Sequence, residues 1–271
     1  MNKISACLIL RNEEKNAKRC LDSLQGAVDE IIVVHDGKCI DETMRICKEY
    51  TNIIFERPFA GYMEAHLPFA FKQANGDWIL RIDGDEFLSE ELKKNLKQLV
   101  SSNEAEGYSF AWPIWDGKKV VASKGYQKLS LFKKDKTSFI SIIHFIPVIN
   151  GKIKTVDFII HHRPDYNDFS FKIFIKKWIP RAHLDASTYF KKIETFNCAE
   201  NRLPINLSAR KYLAPILLFT ILPIFLIKGL HKSLYDKNIF YLKVNVQFGV
   251  YRTLLELFIL ETWIKKIILK K

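Results

Sequence analysis

The chain has few cysteines, no glycine-rich loop after its first apolar segment, and no uninterrupted apolar run long enough for a plain membrane span. Each shortage closes off a class of protein. Five cysteines in 271 residues, without the short paired spacing of a zinc site, exclude a disulfide-stapled miniature and a zinc finger. Cys7, Cys20, Cys39, Cys47 and Cys198 lie mostly inside periodic apolar segments and read as reduced thiols of a cytosolic compartment. The loop "LRNEEKN" contains no glycine, which speaks against the basic phosphate loop of a nucleotidyltransferase. The opening "MNKISACLILRNEE" has one lysine, a short apolar run and no small-residue cleavage pattern, so the N-terminus is expected to stay in the cytoplasm. The basic residues carry no RNA-binding signature, and no nucleic-acid partner is expected.

What is present is core-forming residues and positive charge. At 48% hydrophobic the chain can bury a sizeable core, as one large domain or one domain with an appendage. Its formal net charge of +12 points to an anionic partner such as a phosphorylated ligand or anionic lipid.

The first hundred residues alternate strand and helix signals. "ISACLIL" (4 to 10) is a nearly continuous apolar run, the pattern of a strand buried on both faces. Ala17, Cys20, Leu21 and Leu24 then share one helix face. "EIIVV" (30 to 34) predicts a second strand, 41 to 50 a helix capped by Asp41, and "NIIFE" (52 to 56) a third strand. A helix from about Glu64 to Ala74, a break at Asn75-Gly76 and a fourth strand from Trp78 to Ile82 follow. This order implies a parallel, doubly wound sheet with its ligand crevice at the carboxyl ends of the strands. Asp36 follows strand two, and Asp83 and Asp85 follow strand four. Ser89 is placed to cap the next helix, with Glu90 and Glu91 as dipole partners and Leu92, Leu96 and Leu99 facing inward. From Tyr108 to His161 short runs predict antiparallel or mixed strands, and from Phe169 onward the chain reads as helical.

Two aspartates flanking a glycine offer hard oxygen ligands for Mg²⁺ or Mn²⁺, and such a cation would neutralise a diphosphate leaving group. The competing reading is an acidic turn that merely ends a strand. The preceding strand, the crevice position and the companion Asp36 favour a site.

"ISACLILRNEEKNAKRCLDSL", "DEIIVVHDGKCIDETMRICKEY" and "ANGDWILRIDGDEFLSEEL" together resemble the N-terminal half of glycosyltransferase family 2, inverting enzymes of the GT-A fold. The resemblance implies that Asn12 and Glu13 border the nucleotide, that Asp36 contacts base or ribose, and that Asp83 and Asp85 form the Asp-x-Asp motif for the ribose and the metal-bridged diphosphate. "HDG" and Glu64-Ala65-His66 resemble a subgroup in which an arginine, here Leu67, follows the histidine. Relatives often carry His-Glu where this chain has His144-Phe145, so the family's carboxylate base is not visible. His144, Asp157, His161 and His162 are candidate bases, each with an ordinary packing role as its alternative, and Glu86 is another because it adjoins the motif.

"YLAPILLFTILPIFLI" (212 to 227) falls short of the roughly 20 residues of a bilayer span, and Pro215 and Pro223 interrupt it. Arg210 and Lys211 precede it, and Lys228, His231 and Lys232 follow it. It reads as a re-entrant or interfacial segment at an anionic membrane surface. "KKWIPRAH" (176 to 183) is a second stretch suited to an interface. In "YRTLLELFILETWIKKIILKK" the spacings of Arg252 and Glu256 and of Glu261 and Lys265 allow two ion pairs on opposite sides of a helix, which argues against a lipid-embedded span.

The expectation is an α/β protein: a GT-A, Rossmann-like mixed sheet flanked by helices over 1–165, and a helical, membrane-associating region over 166–271. The expected activity is metal-dependent transfer of a sugar from a nucleotide-diphosphate donor to a glycan or lipid-linked acceptor, at the inner face of the cell membrane. The alternatives are a sugar nucleotidyltransferase and a membrane-associated adaptor that keeps the fold without catalysis.

Overall fold

The computed structural model describes residues 2–198, 207–238 and 240–268, with the side chains of Lys124, residues 207–212 and Ile268 outside that description. The chain divides into two compact units. The first is Met1–Ile114, Ser123–Pro164 and Glu194–Pro204, and the second is Trp115–Ala122, Asp165–Ile193 and Ile205–Lys271.

In the first unit the apolar run becomes β1 (Ile4–Leu10), buried at every residue. Helix α1 (Glu14–Leu24) lays Ala17, Cys20, Leu21 and Leu24 against the sheet with no exposed surface. β2 (Glu30–Asp36), α2 (Thr43–Lys48) and β3 (Ile54–Arg57) follow. The cap expected at Asp41 lies one residue later, at Glu42, whose side chain makes no capping bond. Asp41 instead accepts from the Thr43 and Glu14 amides, tying the start of α2 to the start of α1. The helix expected from Glu64 is a 3₁₀ turn (Met63–Ala65) followed by α3 (Leu67–Gln73), which has Pro68 in its first turn where its missing N–H costs nothing.

β4 (Trp78–Arg81), β5 (Glu86–Leu88) and α4 (Glu90–Ser101) complete the first half. The Ser89 side chain accepts from the Leu92 amide, as a capping serine does. β6 (Gly107–Trp115), β7 (Val120–Lys133), β8 (Thr137–Ile140), β9 (Val148–Ile149) and β10 (Ile153–His162) come next.

The main sheet runs β3-β2-β1-β4-β7-β6-β10-β5. Pairings β1–β2, β1–β4, β2–β3 and β6–β10 are parallel, while β4–β7 and β5–β10 are antiparallel. One core cluster packs Leu21, Leu92 and Leu96 on one face, and a second packs Phe71, Phe132 and Phe139 on the other. Helices therefore cover both faces, the condition that lets parallel strands be continuously apolar. A small sheet, β11 (Thr195–Phe196) with β8 and β9, lies beside it.

The second unit is helical: α5 (Phe171–Ile173), a π-helical stretch (Phe174–Trp178), α6 (Ile179–Thr188), α7 (Leu207–Tyr235) and α8 (Phe240–Ile268). The expected interruption at Pro215 and Pro223 is absent, and α7 runs through both. Its apolar part is Leu213–Tyr235, 23 residues of mean hydropathy 2.2, long and apolar enough to cross a membrane by length and composition. Antiparallel packing on α8 supports it. A Cβ at Gly229 would lie 2.9 Å from that of Asn245, and one at Gly249 would lie 2.9 Å from that of Phe225. In "KKWIPRAH", Lys176, Lys177, Pro180 and His183 are exposed, while Trp178 turns inward. Trp178 packs on Phe248 and Tyr251 at ring separations of 5.1 and 5.8 Å. In α8, Glu261 pairs with Lys265 at 2.5 Å, but Glu256 is fully buried. Residues 269–271 of the expected last helix lie outside the described set.

Candidate active site

Asp36 closes β2 with its carboxylate almost wholly buried. One oxygen accepts from the Ala60 amide at 2.6 Å and from His66 Nε2 at 2.9 Å, and the other accepts from the Gly61 amide at 2.9 Å. Burial alone would push this carboxyl up, but the His66 bond and the two amides outweigh it and hold it below its ordinary 3.8. His66 thus gives the Glu64-Ala65-His66 element its first role. Glu64 gives the second, accepting from the His144 amide at 2.9 Å.

The loop after β1 is fastened to the same place. His35, fully buried, bonds the Gly37 carbonyl through Nδ1 at 2.7 Å and accepts from the Asn12 amide through Nε2 at 3.2 Å. This arrangement assigns the neutral tautomer with the proton on Nδ1. Asn12 adopts a left-handed backbone (φ 52°) and accepts from the Ile40 amide. The Glu13 amide donates to Thr43 Oγ1 at 2.6 Å. At the motif itself, a Cβ on Gly84 would stand 2.7 Å from Leu10 Cδ2 and 3.1 Å from Glu13 Cγ. The middle residue must therefore be small because β1 and its loop press against it. Contacts run without a break from Asp36 through His35, Asn12 and Glu13 to Gly84.

Asp83 and Glu86 share one half-buried cation. Lys128 Nζ, carried by β7, donates to Asp83 Oδ2 at 2.8 Å and to both Glu86 oxygens at 2.6 Å. Glu86 has no exposed surface and also accepts from Trp112 Nε1 at 2.6 Å and from the Asp83 amide at 2.9 Å. Burial opposes ionisation of Asp83, but Lys128 and Arg81 prevail and hold it below the ordinary value. Glu86 moves the other way, raised by burial and by the Asp83 charge. Burial would lower Lys128, and the two carboxylates reverse that and raise it.

Asp85 points elsewhere. Its Oδ2 accepts from His162 Nε2 at 3.2 Å, and the His162 ring stacks on Trp112 at 4.3 Å. His161, the next residue along β10, stacks on Phe87 instead and takes no part in this cluster. His144 is exposed and left-handed (φ 59°), and Asp157 is exposed on β10 near a register shift between Val156 and Ile159. Among the described residues no hydrogen bond or ion pair joins Asp157 to the motif. The structure therefore gathers Asn12, Glu13, Asp36, Asp83, Asp85 and Glu86 at the carboxyl ends of β1, β2 and β4, and leaves Asp157 apart.

Among the described residues no three His, Cys, Asp or Glu side chains converge as a metal cage. Asp85 and His162 do face one another with one oxygen and one nitrogen donor. Two protein donors fit Mg²⁺ or Mn²⁺ at a diphosphate, where phosphate oxygens and water complete the coordination, and the nitrogen donor favours Mn²⁺.

The sequence profile of glycosyl transferase family 2 matches residues 5–194, most of the chain and all of the residues above. The chain belongs to this family. An uncharacterized glycosyltransferase of Rickettsia typhi is 34% identical over 132 residues, 49% of this chain and 43% of that protein. The lipopolysaccharide core biosynthesis glycosyltransferase LpsC of Rhizobium meliloti is 31% identical over 114 residues, 40% of this chain and 41% of that protein. The family 2 chain thus matches less than half the length of these curated relatives. Among solved structures, S. aureus TarS 1-349 in complex with UDP-GlcNAc aligns with a TM-score of 0.48 at 13% identity, covering 90% of each chain.

Four residues of this family 2 site escaped the sequence reading: His35, Trp112, Lys128 and Arg81. Arg81 precedes the motif by two residues, donates to Met63 Sδ at 3.3 Å and has a buried Nε without a hydrogen-bond partner. Lys128 left one trace in the sequence, a lysine set into the apolar run "KLSLF". Trp112 left none, because it acts through a partner on another strand, and His35 showed only as the first residue of "HDG", with its bond to the Asn12 amide hidden.

Proposed function

We propose that this chain is an inverting glycosyltransferase that moves a sugar from a nucleotide-diphosphate donor to a glycan or lipid-linked acceptor in cell-envelope glycoconjugate synthesis. It would work from the cytoplasm as a peripheral protein at the inner face of the membrane. The observation that carries the reading is the placement of Asp36, Asp83 and Asp85 at the carboxyl ends of β2 and β4, the two strands that flank β1, with Asp85 set against His162. Similarity to a lipopolysaccharide-core enzyme supports the acceptor class.

Asp36, held ionised by His66 and two amides, orients the nucleoside by accepting from it. Asp83, fixed by Lys128, borders the ribose and diphosphate. Asp85 and His162 would hold Mg²⁺ or Mn²⁺, which would offset the charge that grows on the departing diphosphate. The acceptor hydroxyl attacks the sugar carbon from the face opposite the diphosphate, which inverts the configuration, and its proton passes to a base. Glu86 is unsuited to that task, because Lys128, Trp112 and the Asp83 amide already occupy its buried oxygens. Its role is to anchor Lys128. Of the candidates, His144 is exposed and tied to the Glu64-Ala65-His66 element, while Asp157 stands apart from the motif.

Donor hydrolysis or transfer should depend on added metal and fail in Asp85→Ala, and full activity in that variant would sink the assignment. One observation favours the adaptor reading: Phe145, standing where relatives often carry the acid, packs its ring on Phe139 at 5.5 Å. Calorimetry with UDP and GDP plus manganese separates the two, since an adaptor that has lost donor chemistry binds neither.

A further inference from the structure

Among the described residues, the outer face of α7 has no partner in the second unit. Leu213, Ile216, Phe219, Ile227, Leu230 and Leu234 are all exposed, Phe219 by 79% and Leu234 by 77%, and only 17% of the apolar stretch is buried. The inner stripe of Ala214, Ile221, Gly229 and Ser233 is already used against α8. An apolar face of this length on a free surface marks a docking site.

We propose that this face docks on an anionic bilayer, with α7 lying in the plane of the membrane rather than crossing it. The proposal deepens the peripheral location suggested above by naming the surface and its orientation, and it does not depend on the donor chemistry.

Three observations select lipid as the occupant. From Leu213 to Ile227 the helix carries no charged residue, and its one hydroxyl, Thr220 Oγ1, turns back to the Ile216 carbonyl at 3.3 Å and so asks nothing of a protein partner. Basic residues bound the stretch at both ends, Arg210 and Lys211 before it and Lys228, His231 and Lys232 after it, and Lys232 pairs with Asp236 at the latter end. Tyr235, exposed by 77% and stacked with His231, stands at that same end. An apolar face that ends in lysines and an amphipathic aromatic ring matches acyl chains bounded by anionic headgroups.

The in-plane orientation follows from α8. This helix packs along α7 on one side and against α6 on the other. With Gly249 set against Leu222 and Phe225, it brings Gln247, Arg252 and Glu256 alongside the apolar stretch, and α6, packed on α8, carries Arg181 and Asp185. A crossing α7 would draw these groups into hydrocarbon, which charged side chains resist strongly. A helix lying flat immerses only its outer face.

The test uses the full chain with vesicles of phosphatidylcholine containing phosphatidylglycerol. Flotation should recover the wild type with the vesicles, and Phe219→Glu and Ile227→Glu should each weaken binding about tenfold or more, while donor hydrolysis in solution stays unchanged. Spin labels at Phe219→Cys, Ile227→Cys and Leu234→Cys should report similar shallow depths. Unchanged binding in both glutamate variants would overturn the surface assignment. A label that passes through the bilayer centre would overturn the in-plane orientation. Sedimentation showing a wild-type dimer, monomeric variants and no vesicle binding would assign the face to a second copy and overturn the proposal. Vesicle binding without donor hydrolysis in the wild type would count against glycosyl transfer and leave this inference standing.

Discussion

The two units depart from the ordinary rule of apolar inside and charged outside in opposite directions. The sheet unit buries charge: Asp36 and Glu86 lie inside it, with the half-buried Lys128 reaching in to Glu86, and each has ionic or hydrogen-bonded partners. The helical unit exposes apolar surface along α7. Buried charge and exposed hydrocarbon are both costly unless something answers them. The first is answered within the fold, by a network that fixes a crevice. The second is answered only by something outside the fold. Each departure therefore marks the part of its unit proposed to meet a ligand.

The largest effect is expected from removing the shared cation. Lys128→Ala strands Glu86 as a buried, unpaired acid and should destabilise the sheet unit by about 3–5 kcal/mol in chemical denaturation. Adding Glu86→Gln should recover much of that loss, and no recovery would show that the pair does not act as a unit. Asp85→Ala should lower metal-dependent turnover by about 10²–10³-fold with folding and vesicle binding intact. A loss of vesicle binding in this variant would break the separation between the units.

His66→Ala removes the donor that holds Asp36, and nucleotide affinity measured by calorimetry should fall by about tenfold, in line with a lost bond to a charged group. Gly249→Leu overpacks the α7–α8 contact, and a cost of about 1–3 kcal/mol should fall on the helical transition alone, leaving nucleotide affinity unchanged. The smallest effect concerns acid. Asp36 is held below its ordinary 3.8, so the stability it contributes is present above that value and is lost as pH falls through the lower folded value. Asp36→Asn should flatten the acid limb of a plot of Tm against pH and leave the neutral region with the same slope.

Much of the sheet unit was legible because its signals are local. The continuous run Ile4–Leu10, the helix face of Ala17, Cys20, Leu21 and Leu24, and the Ser89 cap each depend on residues within a few positions of one another, and all three stand in the structure. The position of Asp36 and the Asp83-Gly84-Asp85 turn followed from strand order. Lys128 was hidden because it lies 45 residues from Asp83 in sequence and reaches it only through the antiparallel pairing of β4 and β7. Glu86 looked like a candidate base until that pairing showed both its oxygens engaged.

In the helical unit the reading erred where propensity and packing disagree. Pro215 and Pro223 each remove one backbone donor, and local reasoning breaks the helix there. Packing against α8 along its length carries α7 through both. The sequence by itself determined which residues are apolar, which strands are central, and which aspartates end them, because these depend on short-range patterning. The tertiary structure alone decided which cation neutralises Glu86, which histidine faces Asp85, and that one side of α7 stays bare. Those outcomes depend on which distant segments pair, and pairing is set by the burial of whole faces rather than by any single neighbourhood of residues.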